Sequence, residues 1–115
     1  MHHITYNEIV SESSYALRSQ ERAAMDRGIA MLRAAQSSSK PGKERNEALY
    51  YMKRLWSIFM SDLRGDDNEL PADCRAGLIS VGIWVTKEIA RLENGTSKDI
   101  SGLIEINEII RDGLH

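Results

Sequence analysis

Apolar residues recur along most of this chain at steps of three and four, the period of a helix face. In the first such stretch Leu17, Ala24, Met25, Gly28, Ile29, Leu32 and Ala35 share one side, which predicts a long helix from about Ser11 to Ala35. Thr5 and Glu8 stand at capping-box spacing and predict a short helical turn ahead of it. Ala24 and Gly28 are small, so a second helix can approach closely there. The next stripe, Ala48, Met52, Leu55, Phe59 and Leu63, is widened by Leu49, Trp56 and Met60 and predicts a helix from about Lys43 to Leu63. A third runs from Pro71 to about Asn94 on Cys74, Leu78, Val81, Val85, Ile89 and Leu92. Ile79, Ile83 and Trp84 lie off that stripe, and a helix apolar on most sides is expected to be central and buried. The fourth begins near Asp99, a good N-cap, and ends near Gly113, with Leu103, Ile106, Ile110 and Leu114 on its face.

Three breaks separate these helices. Ser37–Gly42 contains one of the two prolines, residues 65–71 end in the other, and Asn94-Gly95-Thr96-Ser97 places a glycine where a helix stops. No stretch alternates at period two, so no strand is expected. Short connections favour antiparallel neighbours, and the fold class is all-α: a compact bundle of about four helices with a short N-terminal helical turn, in a single domain over residues 1–115.

Composition narrows the chemistry. With 115 residues, 42% apolar and 28% charged, the chain can bury a core without disulfides or metal. A net charge of −2 with interspersed signs gives no long-range pull on nucleic acid or anionic lipid. The single cysteine, Cys74, permits no internal disulfide and fits a reducing compartment; on its apolar stripe it is expected to be a small core residue. The N-terminus lacks the basic and apolar regions of a signal peptide. The longest apolar run, Leu78 to Val85, is far short of the ~20 residues of a membrane span.

Catalytic and metal constellations find no residues. The histidines, His2, His3 and His115, are all terminal, which removes inward Glu-x-x-His metal pairs and histidine-activated nucleophiles. The glycines around Ser80 do not have nucleophile-elbow spacing, and they are expected to permit close helix packing. Asp66-Asp67-Asn68-Glu69 is too short for a calcium loop, and Glu105, Glu108 and Asp112 read as a solvated helix face. The basic residues Arg18, Arg22, Arg27, Lys40, Lys43, Arg45, Lys53 and Arg54 are diluted by acids and lack an aromatic platform for nucleic acid. No enzyme activity, catalytic residue, metal or cofactor is expected.

What stands out is aromatic. Residues 48–56, Ala-Leu-Tyr-Tyr-Met-Lys-Arg-Leu-Trp, put Tyr50, Tyr51 and Trp56 in half a helix, with Phe59 one turn on. Tyr50 and Tyr51 point about 100° apart, so at most one faces the core squarely. The excess over one inward stripe has two readings: a core helix with a tyrosine on its rim, or an exposed binding groove. The groove reading selects Tyr50, Tyr51, Leu55, Trp56 and Phe59, with Trp84 as an outlier.

Three segments in order carry a family resemblance. Ala48-Leu49-Tyr50-Tyr51 leading into Arg54-Leu55-Trp56, then Leu78-Ile79-Ser80-Val81-Gly82-Ile83-Trp84-Val85, then Gly102-Leu103-Ile104-Glu105-Ile106 ending in Ile109-Ile110-Arg111-Asp112-Gly113-Leu114, resemble the flagellar biosynthesis regulator FlaF family. The first helix, with Arg18, Glu21-Arg22 and Asp26-Arg27, also fits. The resemblance implies a cytoplasmic, non-enzymatic flagellar protein acting positively on flagellin synthesis and export. It implies a flagellin-binding secretion chaperone working in opposition to the translational regulator FlbT. An apolar helical groove could cover the terminal helical segments of unassembled flagellin. The alternative is a post-transcriptional regulator acting on flagellin mRNA, directly or through a complex with FlbT.

Overall fold

A computed structural model describes the backbone of residues 6–39 and 42–113, and the side chains from Gln20 onward. Thr5, the terminal histidines, Lys40, Pro41 and Leu114 lie outside the described residues, as do the side chains of Glu8, Leu17 and Arg18. Four helices follow in order: α1 (Tyr6–Ser37), α2 (Lys43–Arg64), α3 (Ala72–Glu93) and α4 (Ser101–Gly113). The turn expected before the first helix is not a separate element, because α1 runs unbroken from Tyr6.

The stops are chemical. Gly42, at φ 129°, enters α2 in a backbone region that side chains rarely adopt. Pro71 precedes α3 as its N-cap, and its carbonyl accepts the first helical bond from Arg75 at 2.9 Å. After Glu93 the chain turns at Gly95 (φ 82°), and Ser97 N–H reaches back to Arg91 O at 3.0 Å. Asp99 Oδ1 then accepts the Ser101 N–H at 2.9 Å just ahead of α4, whose first helical bond runs from Ile104 N–H to Ile100 O at 3.1 Å, so Asp99 stands one residue before the N-cap position expected of it.

Each helix packs on two neighbours in a ring, α1–α2–α3–α4–α1. Adjacent helices are antiparallel. On α1 and α4, Gln36 bonds Ser101 (3.1 Å), Arg33 pairs with Glu108, and Asp26 pairs with Arg111 (3.2 Å), so one number falls as the other rises. Two glycines set the close approaches. A Cβ on Gly28 would come within 2.6 Å of Met52 Cε on α2. One on Gly82 would overlap Met60 Sδ, which seats α3 on α2. Gly77 has nothing within 4 Å, so of the glycines around Ser80 only Gly82 permits close packing.

One core joins all four helices: Met25, Ile29 and Leu32 from α1, Leu49, Met52, Trp56 and Leu63 from α2, Val85 and Ile89 from α3, and Leu103 from α4 are each almost fully enclosed. The expectation of a central, buried α3 fails. Its buried residues are Gly82, Val85, Ile89 and Leu92, while Ile83 and Trp84 are exposed. The physical reason is the α3–α4 seam, the thinnest of the four. α3 closes on the core through its second half, and its first half stands beside α4 without closing on it. Cys74, in that first half, is exposed rather than a core residue.

Candidate functional site

The six aromatic and apolar candidates do not line one groove. Trp56 is core, 1% exposed, and its indole N–H donates to Asn107 Oδ1 at 2.8 Å. Phe59 is also buried, its ring tilted against Trp56 with centroids 5.2 Å apart. Both belong to the stripe that α2 turns inward, so their place in an exposed groove is corrected here: the ring of helices covers Trp56, and Phe59 keeps an edge on a cavity at the end of the bundle. Asn107 carried no signal as a site residue in the sequence, although a polar residue one turn after Leu103 on an apolar face is the mark of a buried partner. Its Nδ2 donates to Leu103 O at 2.7 Å, so the amide is satisfied on both sides.

Tyr50, Tyr51 and Leu55 share the α1–α2 face with Ala24, Met31 and Ile58, around a depression of ≈ 510 Å³. Tyr51 is half-buried and donates its hydroxyl to Ala24 O at 2.9 Å. Together with the Gly28–Met52 contact, that bond closes the seam beneath. Tyr50, 59% exposed, lies under the Arg54 guanidinium at 6.0 Å. This face is therefore a surface on a sealed pair of helices, interrupted by Arg54 and Glu47.

Trp84 stands elsewhere, over the α3–α4 seam. It shares a cavity of ≈ 530 Å³ with Ser80, Val81, Gly102, Glu105, Ile106 and Ile109. Trp84 is 45% and Ile109 59% exposed. A Cβ on Gly102 would lie 3.8 Å from the far edge of the indole, so a bare stretch of α4 backbone forms the floor under Trp84. Ile109 also borders a second cavity of ≈ 460 Å³ at the end of the bundle, which reaches Leu70, Cys74, Leu78, Phe59 and Ile110. The two meet at Ile109 and make a trough along the α3–α4 seam that opens, at the end of the bundle, against Glu21 of α1 and Phe59 and Asp62 of α2. The full-length periodicity of α3 pointed to burial; only the unclosed seam distinguishes this trough from a core.

The family model described as flagellar protein FlaF matches residues 2–114, nearly the whole chain. The chain belongs to the FlaF family. No curated protein and no solved structure matches it. Membership makes this a flagellar protein, and the FlaF match spans all three motif segments and all four helices.

The ionisable groups of the FlaF chain serve its framework. Asp99 is held below the usual carboxylate range by hydrogen bonds from the Ser101 hydroxyl and backbone N–H. Arg111 is raised by its hydrogen bond to Asp112, and further by Asp26. Of the acids on α4, Glu108 pairs with Arg33 and Asp112 with Arg111, while Glu105 borders the trough. Among the described residues no group of three His, Cys, Asp or Glu side chains is placed to hold a metal ion, and no helix is long and apolar enough to cross a membrane. What the trough offers is apolar contact area with two half-exposed large side chains, Trp84 and Ile109, on its rim.

Proposed function

We propose that this chain is a cytoplasmic, non-enzymatic flagellin-binding secretion chaperone and positive regulator of flagellin synthesis, and that the α3–α4 trough holds the apolar face of a flagellin terminal helix. The observation that carries the reading is the unclosed seam: Trp84 and Ile109 stand half-exposed over Val81, Ile106 and the bare Gly102 backbone. A bundle normally fills such a seam with side chains of its own neighbours. Here the position of a further helix is open, and a partner helix seated in it would bury the same kind of surface that the core buries. The α1–α2 face is a separate surface.

Action directly on flagellin mRNA is supported less well. Arg33, Lys53 and Arg111 are paired with Glu108, Glu93 and Asp26, and Arg45 donates to Lys98 O, so these four surface cations are already engaged by partners within the chain.

Titration calorimetry with purified flagellin tests the site. Trp84→Glu and Ile109→Glu are expected to abolish binding while the melting temperature stays near that of the parent. Wild-type affinity in both variants, with binding lost in Tyr50→Ala, would move the site to the α1–α2 face.

A further inference from the structure

The trough has ends of different chemistry. At the Trp84 end it is bordered by one charged residue, Glu105. At the other end, where α2 stops and α3 begins, its charged lining is Glu21, Asp62, Asp67 and Glu69. Every charged residue that lines either cavity is thus an acid, four of the five gathered at one end. Of the cations next to these residues in sequence, Arg22, Arg64, Arg75 and Arg111, none is among the lining residues. Asp62 and Asp67 are exposed, and Asp62 Oδ2 accepts a bond from the Asn68 amide at 3.3 Å. From Cys74 to Trp84 the trough follows α3 for about 15 Å, roughly three helical turns.

We infer that the trough takes its occupant in one direction: an amphipathic helix of about three turns whose apolar stripe lies along Trp84, Ile109 and Leu78, and whose cationic end, carrying Arg or Lys, sits in the acidic mouth formed by Asp62 and Asp67. This rests on the α3–α4 trough being the binding site, and adds a polarity to it. Two physical terms divide the work. Apolar contact along the seam supplies affinity and does not distinguish the two orientations of a uniformly apolar stripe. The acidic mouth does, because placing an anionic end there sets like charges together, and steering by the mouth raises the rate of correct encounter.

Three synthetic amphipathic peptides of about 18 residues, long enough to form several helical turns, test this. All share one Leu/Ile stripe and differ only at one end, which carries three Arg, three Gln or three Glu. Binding to the full chain is measured by fluorescence anisotropy at low and high salt. The expected order at low salt is Arg tightest and Glu weakest, with the spread collapsing at high salt. In the Asp62→Lys, Asp67→Lys double variant the Arg-ended peptide is expected to lose about tenfold and the Glu-ended peptide to gain. The single variant Asp67→Lys, which leaves the Asp62–Asn68 hydrogen bond intact, is expected to shift the order the same way by a smaller factor. Equal affinity of all three peptides for the wild-type chain, each weakened by Trp84→Glu, overturns the polarity and leaves the trough standing. If Trp84→Glu weakens none of the peptides, the trough itself is overturned as the site.

Discussion

Trp56 and Asn107 show how one hydrogen bond fixes the geometry of a core. α2 and α4 stand diagonally across the ring and do not touch as backbones, yet the indole N–H and the amide oxygen meet between them at 2.8 Å. A buried indole needs a partner for its N–H, and only one rotation of each helix supplies it. Removing either member alone strands the other in the core. Trp56→Phe and Asn107→Leu are each expected to destabilise by about 1–3 kcal/mol through the group left unpaired. The double variant is expected to lose less than the sum, which urea denaturation of the four proteins measures as a coupling. Asp99 works at the same scale. Its folded carboxyl titrates lower than its ordinary value of 3.8, so its bonds to Ser101 contribute fully above that value and are lost as pH falls through the lowered folded value. Asp99→Ala is expected to lower the melting temperature near neutral pH and to converge on the wild type in acid, as followed by thermal melts across that range.

Among the elements, α3 is the one whose sequence and placement disagree. Its apolar residues cover several sides, and period alone reads that as burial. The ring gives α3 one closed contact, with α2 at Gly82 and Met60, and one thin one, with α4. Two glycines five residues apart, Gly77 and Gly82, are therefore expected to behave oppositely when replaced. Gly77 is exposed with open space around it, so Gly77→Ala gains helix propensity and stabilises by about 0.5–1 kcal/mol. At Gly82 the same gain is set against overlap with three atoms of Met60, worth about 1–3 kcal/mol of strain. Gly82→Ala is expected to destabilise on balance, and Met60→Ala to relieve the overlap in the double variant; calorimetric melting of the three proteins decides it.

For the whole molecule the two tryptophans separate stability from binding. Trp56→Ala is expected to cost about 3–5 kcal/mol, as a large core side chain removed. Trp84→Ala, half-exposed above the trough, is expected to change stability by less than about 1 kcal/mol and to weaken the partner complex instead. In a Trp56→Phe background the remaining indole reports on the trough directly, and its emission is expected to shift to shorter wavelength when flagellin or a helical peptide enters. An unshifted spectrum at saturating ligand would place the ligand elsewhere.

Much of this architecture was legible in the chain. The four helices follow from apolar spacing, and their stops from Gly42, Pro71, Gly95 and Asp99, because capping and positive φ are local chemistry that a few neighbours decide. The close approach at Gly28 was visible for the same reason: a small residue on an apolar face leaves room. Family membership, too, rests on motifs spread along residues 2–114. The sequence could not say which apolar faces meet. Trp56, Phe59, Trp84 and Ile109 carry the same kind of side chain at the same helical spacing, and burial is settled only when the helices are set in a ring. That ring closes three seams and leaves the α3–α4 seam open, turning Trp56 and Phe59 into core and leaving Trp84 and Ile109 exposed. Hydrophobic pattern is a property of one helix; exposure is a property of its neighbours.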